Sequence, residues 1–145
     1  MHVNECRAAW TPCEEPKVAE FEKNFATFVG AEFCIATNNG TDALILALKA
    51  LGIKSGDEVI TVPNSFYATT GAIVACGATP VFIDVDARYQ MDASLLEGAI
   101  SSKTRAILPV YWGGAAPDMK AIIDVANRHN LVVVEDACMG IGGSH

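Results

Sequence analysis

Thr37-Asn38-Asn39-Gly40-Thr41-Asp42-Ala43 ends an apolar, strand-like run, Phe33-Cys34-Ile35-Ala36, and opens an amphipathic helix that runs from Leu44 to Leu51. Gly40 lets the chain turn where a side chain would clash, and Thr41 or Asp42 is placed to cap the helix. The first-turn N–H groups have no partners within the helix and point at whatever sits in front of it. With the positive end of the helix dipole added, such a junction suits a phosphate or a carboxylate. An ordinary capped helix start accounts for the same seven residues, so the case for a ligand depends on what else reaches this edge.

Outward from that junction the chain alternates between two periods. On its N-terminal side, Val18, Phe21, Phe25 and Phe28 have the three-and-four spacing of a helix over Lys17–Phe28, with Pro16 to start it and Gly30 to close it. Core packing accounts for this phenylalanine stripe. On the C-terminal side four further strand-like runs follow: Glu58–Val62, Pro80–Asp84, Arg105–Val110 and Leu131–Val134. Between them lie helical stretches at about Phe66–Cys76, Ala93–Ile100 with Asp92 as cap, and Pro117–His129. Pro109 argues that its strand is an edge or is in its last turn. Five strands separated by helices predict an α/β fold with a mainly parallel sheet, flanking helices and right-handed crossovers. Residues 1–15, with Pro12 and no clear period, read as an N-terminal arm, and 16–145 as one domain.

The bulk composition agrees. Of the 145 residues, 51 % are hydrophobic and 19 % charged, as a sheet covered on both faces requires. Ten Lys and Arg against seventeen Asp and Glu give a net charge of −7, and the positive residues are scattered, which argues against a nucleic-acid partner. No run approaches a membrane span, and Asn4, Glu5 and Arg7 precede Trp10 without the apolar stretch of a signal peptide; a cytoplasmic protein is expected. Five cysteines without a C-x-x-C pair fit a reducing compartment. The three histidines, His2, His129 and His145, have no metal-site spacing, and a catalytic Cys–His pair could form only through the fold.

In open α/β sheets ligands bind beyond the carboxyl ends of the strands. Those ends carry Asn38-Asn39-Gly40-Thr41, Asn64-Ser65-Phe66-Tyr67, Asp84, Tyr111-Trp112 and Glu135-Asp136. Together they offer an anion cradle, rings that can stack on a flat ligand, and a carboxylate ending a hydrophobic strand. A carboxylate so placed is costly without a cationic or hydrogen-bonding partner. Pyridoxal 5′-phosphate (PLP) presents a phosphate, a flat ring and a protonated ring nitrogen together. A helix cap or a surface salt bridge accounts equally for Asp136. A nucleotide-binding sheet fits less well, because Gly40-Thr41-Asp42 is not G-x-G-x-x-G and no Walker-type pattern occurs.

Five ordered segments go further: Asn39-Gly40-Thr41-Asp42-Ala43-Leu44, Gly56-Asp57-Glu58-Val59-Ile60, Gly77-Ala78-Thr79-Pro80-Val81-Phe82, Lys103-Thr104-Arg105-Ala106-Ile107 and Val134-Glu135-Asp136-Ala137. From Pro12 onward the chain closely resembles the DegT/DnrJ/EryC1/StrS family of PLP-dependent sugar aminotransferases. The resemblance implies the N-terminal part of an aspartate-aminotransferase-like (type I) large domain, incomplete here and normally dimeric. It implies that Gly40, Thr41 and Asp42 hold the cofactor phosphate, that Tyr67 stacks on the pyridine ring, and that Asp136 pairs with its nitrogen. Two departures stand out. Met139 occupies a position that is usually Gln or His in the family and cannot donate a hydrogen bond. The Schiff-base lysine lies well downstream of E-D-A in the family, and none of Lys17, Lys23, Lys49, Lys54, Lys103 or Lys120 matches it.

The expectation is therefore the N-terminal portion of an enzyme that moves an amino group from a glutamate-like donor to a keto-sugar nucleotide, for polysaccharide or amino-sugar biosynthesis. The chain alone is expected to be inactive. Two alternatives are a truncated, non-catalytic family member acting as a binding or oligomerisation module, and a PLP-dependent sugar dehydratase of the same family. An exposed sheet edge and exposed apolar faces predict a homodimer or other self-association.

Overall fold

The computed structural model describes residues 16–142; the arm expected over 1–15 lies outside the described residues, as do 143–145. The chain forms two units, Met1–Ala36 and Thr37–His145.

In the first unit, helix α1 spans Pro16–Val29. Proline suits its first turn, where no N–H is needed, and Gly30, at φ +71°, closes it in the left-handed region. Phe21 and Phe25 stack with ring centroids 5.5 Å apart. Phe21 and Phe28 are nevertheless exposed among the described residues, which corrects the expectation of a buried stripe; the rings of Phe21, Phe25 and Phe28 meet one another. The expected first strand, Phe33–Ala36, is also absent. A strand exists only through a neighbour's hydrogen bonds, and no described residue forms a bridge with this run. Phe33 and Ile35 stay 76 % and 80 % exposed, and the run is tied down by Ala36 N–H donating to Glu22 Oε1 at 2.7 Å.

The second unit holds the sheet. Strands β1 (Glu58–Thr61), β2 (Thr79–Phe82), β3 (Thr104–Ile107) and β4 (Val132–Val133) lie in the order β2-β1-β3-β4. All three pairings are parallel, with Val59 opposite Pro80 and Ala106, and Ile107 opposite Val133. Helix α2 (Gly40–Ala50) precedes β1, α3 (Tyr67–Ala75) joins β1 to β2, and α5 (Met119–His129) joins β3 to β4. The helix expected over 93–100 divides into a 3-10 turn, Ala93–Leu95, and a short α4, Leu96–Ala99. Asp92 caps the turn, accepting from Ser94 N–H at 3.0 Å. Leu48, Ile60, Ile73, Leu96, Ile107 and Ile122 are fully buried in one core.

β3 lies inside the sheet, so Pro109 is not an edge residue. It falls just past the strand, where its carbonyl accepts Asp136 N–H at 3.0 Å. Likewise α5 begins at Met119 and not at Pro117, because the Asp118 carboxylate takes the Ala121 N–H at 3.0 Å and fixes the first turn there.

Candidate functional site

A cavity of about 390 Å³ opens beyond the carboxyl ends of β1, β3 and β4, bounded by the start of α2, the start of α3, Val110-Tyr111-Trp112, Asp136 and Cys138-Met139.

On one side stands the start of α2. Asn39, in extended conformation, is its cap: Oδ1 accepts the Asp42 N–H at 2.9 Å, and Nδ2 donates to Asp42 Oδ2 at 2.9 Å. This corrects the expectation that Thr41 or Asp42 caps the helix. A cap must precede the first helical residue to reach the third N–H, and Gly40 is already helical. Gly40 and Thr41 border the cavity, and their N–H groups have no hydrogen-bond partner among the described residues. Asp42 does not border it; its N–H and carboxylate are both engaged by Asn39. The N–H groups fit to meet an anion are those of Gly40 and Thr41, with Asp42 as part of the cap behind them.

On another side the aromatic Phe66, the extended residue before α3, borders the cavity, in addition to Tyr111 and Trp112. Tyr67, the residue expected to supply a stacking ring, is 78 % exposed and does not border the cavity. Helix α3 begins at Tyr67, and its ring lies against that of Phe66, with centroids 4.2 Å apart and planes inclined by 51°. Asp84 is also absent from the cavity; it follows β2, the strand at the sheet's far edge, and its Oδ1 accepts the Val85 N–H at 2.8 Å.

Asp136 lies just beyond β4 and is stitched to the extension of β3. It forms a parallel bridge with Val110, and its carbonyl accepts the Tyr111 N–H at 3.0 Å. The backbone of this carboxylate is thus held on both sides. Its Oδ2 accepts a hydrogen bond from Thr69 Oγ1 at 2.7 Å, and Thr69 Oγ1 is 2.7 Å from Ser65 Oγ. The neighbouring carboxylate, Glu135, accepts the hydrogen bond of the buried Tyr111 hydroxyl. Burial foremost, then this bond and the Glu135 charge, push the Tyr111 phenol well above its ordinary range and keep it neutral.

Thr69 was not singled out from the sequence, and Phe66 only as part of the strand end Asn64-Ser65-Phe66-Tyr67. A signal for Thr69 existed: Ser65 and Thr69 are four apart across a helix start, a spacing that brings two hydroxyls together. Met139 and Cys138 border the cavity. All six lysines are exposed and none borders it. Among the described residues no cluster of three or more His, Cys, Asp or Glu could hold a metal, and no helix is long and apolar enough to cross a membrane.

Comparison with known proteins adds the following. The model of the DegT/DnrJ/EryC1/StrS aminotransferase family matches residues 2–145. The spore coat polysaccharide biosynthesis protein SpsC of Bacillus subtilis is 50 % identical over 127 residues, 87 % of this chain and 33 % of SpsC. GDP-perosamine synthase of Caulobacter vibrioides is 44 % identical, over 99 % of this chain and 39 % of its own length. Among solved structures, NtdA from Bacillus subtilis with bound cofactor PMP superposes with a TM-score of 0.88 at 40 % identity, over 97 % of this chain and 32 % of NtdA. The chain thus spans about a third of the length of the curated relatives it matches, and its parallel α/β sheet is that part of the aminotransferase fold.

Proposed function

This chain belongs to the DegT/DnrJ/EryC1/StrS aminotransferase family, and from that premise we propose that it forms the cofactor-holding part of a PLP-dependent aminotransferase acting on a keto-sugar nucleotide, with a glutamate-like amino acid as donor. What carries the proposal is the meeting of a helix start with free N–H groups, an aromatic ring and a strand-end carboxylate around one cavity of about 390 Å³. The donor set fits the cofactor. Gly40 and Thr41 N–H groups, at the positive end of α2, suit its phosphate. Phe66 offers a face for the ring, and Asp136 an anionic partner for a protonated ring nitrogen.

When bound, PLP supplies an electron sink at the substrate carbon. The chain's own residues do the rest: Asp136 holds charge opposite the ring nitrogen, the α2 start anchors one end, and Leu44, Phe66 and Val110 keep water from the faces. The lysine that links covalently to the cofactor belongs, in this reading, to a segment outside residues 1–145, so the chain by itself does not turn over. Residues 16–145 then form the first part of the large domain of a cytoplasmic enzyme, and the exposed Phe21, Phe28, Phe33 and Ile35 serve self-association, as in a homodimer. The nucleotide-sugar substrate is suggested by the name of GDP-perosamine synthase. Met139 in the cavity wall favours the second reading, a non-catalytic module that keeps the fold and pairs with a complete subunit.

The test is a titration of the chain with PLP, followed by absorbance and induced circular dichroism. Saturable binding that inorganic phosphate competes away and that Asp136→Ala weakens is the expected result. No saturable binding refutes the proposal.

A further inference from the structure

We infer that Thr69 is a positioning residue for Asp136, with Ser65 setting the direction of its hydroxyl; this rests on the PLP reading above and deepens it. Thr69 is fully buried in the first turn of α3. Its Oγ1 lies 2.7 Å from Asp136 Oδ2, 67 residues away in sequence, and 2.7 Å from Ser65 Oγ.

A hydroxyl has one proton to give. An ionised carboxylate only accepts, so that proton goes to Asp136, and the Ser65–Thr69 contact must then have Ser65 as donor. The chain of bonds runs from Ser65 to Thr69 to Asp136, each donor polarising the next. One consequence is rotational: with Oδ2 held, Oδ1 is the carboxylate oxygen that has no protein partner among the described residues. A second is that a partly buried carboxylate gains a donor from a rigid source, because threonine's branched Cβ restricts its rotamer. Packing alone does not require this arrangement, since valine has the same shape without the hydroxyl.

The experiment measures binding of two ligands to the full chain: PLP, and an analogue with C–H in place of the ring nitrogen. Wild type, Thr69→Val, Thr69→Ser and Ser65→Ala are compared, with urea unfolding to verify that each is folded. Wild type is expected to prefer PLP over the analogue. Thr69→Val should lose about tenfold in PLP affinity while binding the analogue within about twofold of wild type, the scale of one hydrogen bond to a charged group. Thr69→Ser should keep the wild-type preference even though a buried methyl is lost. Ser65→Ala, which leaves the core untouched, should reduce the preference about threefold by removing the relay's donor.

A preference unchanged in Thr69→Val, or unchanged in Ser65→Ala should Thr69→Val fail to fold, overturns the inference and leaves the PLP reading standing. So does the opposite order, Thr69→Val intact and Thr69→Ser impaired, which is the signature of packing. Failure of the wild type to bind PLP overturns both.

Discussion

Replacing Gly140 by alanine drives a methyl group into the ring of Tyr111. A Cβ on Gly140 would lie 2.6 Å from Tyr111 Cδ1 and 3.2 Å from its Cβ and Cγ, whereas carbon atoms in contact settle at roughly 3.5–4.0 Å. About 1 Å must therefore be found somewhere. The ring does not yield it cheaply: Tyr111 is 3 % exposed, its hydroxyl is bonded to Glu135, and its N–H is held by the Asp136 carbonyl at 3.0 Å. Gly140 is held too, its N–H donating to the Ala137 carbonyl at 2.9 Å. Backbone conformation is no obstacle, because Gly140 is not among the glycines with positive φ. Overpacking of this kind costs about 1–3 kcal/mol, less about 0.4–1 kcal/mol gained by stiffening the unfolded chain. The expected net loss is about 1–2 kcal/mol. Urea unfolding of Gly140→Ala, made in wild type and again in a Tyr111→Ala background, measures it. Removing the ring should abolish most of the cost, a coupling of about 1–2 kcal/mol. A loss below about 0.3 kcal/mol in the wild type, or an equal loss in both backgrounds, refutes the steric reasoning.

Asn39→Ala removes the acceptor for Asp42 N–H and should cost about 1 kcal/mol in urea unfolding, with Asn39→Gly losing only a few tenths; equal costs would deny Asn39 its role as cap. Phe66→Ala should weaken PLP binding about three- to tenfold while Tyr67→Ala changes it less than about twofold. The reverse order would return the stacking role to Tyr67. Ile107→Ala, in the fully buried centre of the sheet, should lose about 2–5 kcal/mol by the same unfolding assay, and a smaller loss would mean the core closes over the gap. For Tyr111 the phenol is raised in the folded state, so folding favours its neutral form. Its contribution is complete below the unfolded-state value of about 10 and is lost as pH rises from there toward the folded-state value. Urea midpoints on either side of pH about 10 should fall more steeply in wild type than in Tyr111→Phe, and parallel curves would contradict the assignment.

The parallel sheet was legible because its strands announce themselves by composition. Glu58–Val62 and Arg105–Val110 are short apolar runs bounded by glycine, proline and polar residues; the structure places β1 inside the first, and β3 overlaps the second, starting one residue earlier at Thr104. Phe33–Ala36 has the same composition and forms no strand. Composition reports that a segment would pair if offered a neighbour; it does not report whether the neighbour is present. The phenylalanines of α1 teach the same lesson for helices: a three-and-four stripe states that a face seeks cover, and among the described residues Phe21 and Phe28 stay exposed while the rings pack on one another.

At the site, what could be read was which strand ends converge, because in a parallel sheet the carboxyl ends all lie on one edge. That logic brought Asn39, Gly40, Thr41, Tyr111 and Asp136 to one cavity from three separate stretches of the chain. It could not resolve the choice between adjacent residues. Phe66 and Tyr67 are both aromatic and their rings touch, and which of the two borders the cavity depends on where α3 takes its first helical residue, a boundary that sequence patterns locate only to within a residue or two. The cap of α2 was missed for a related reason: an acid in a first turn is read as cap or as ligand neighbour, and only the position of Asn39 one residue before the helix shows that Asn39, not Asp42, is the cap. Thr69 escaped notice because its partner is 67 residues away. Proximity of that kind is made by the register of β3 against β4, which carries Asp136 to Val110 and so to the first turn of α3. The residues that hold a carboxylate in place are therefore harder to read than the carboxylate itself, since an acid at a strand end is costly and conspicuous, while the threonine that steadies it is indistinguishable by composition from any other buried hydroxyl.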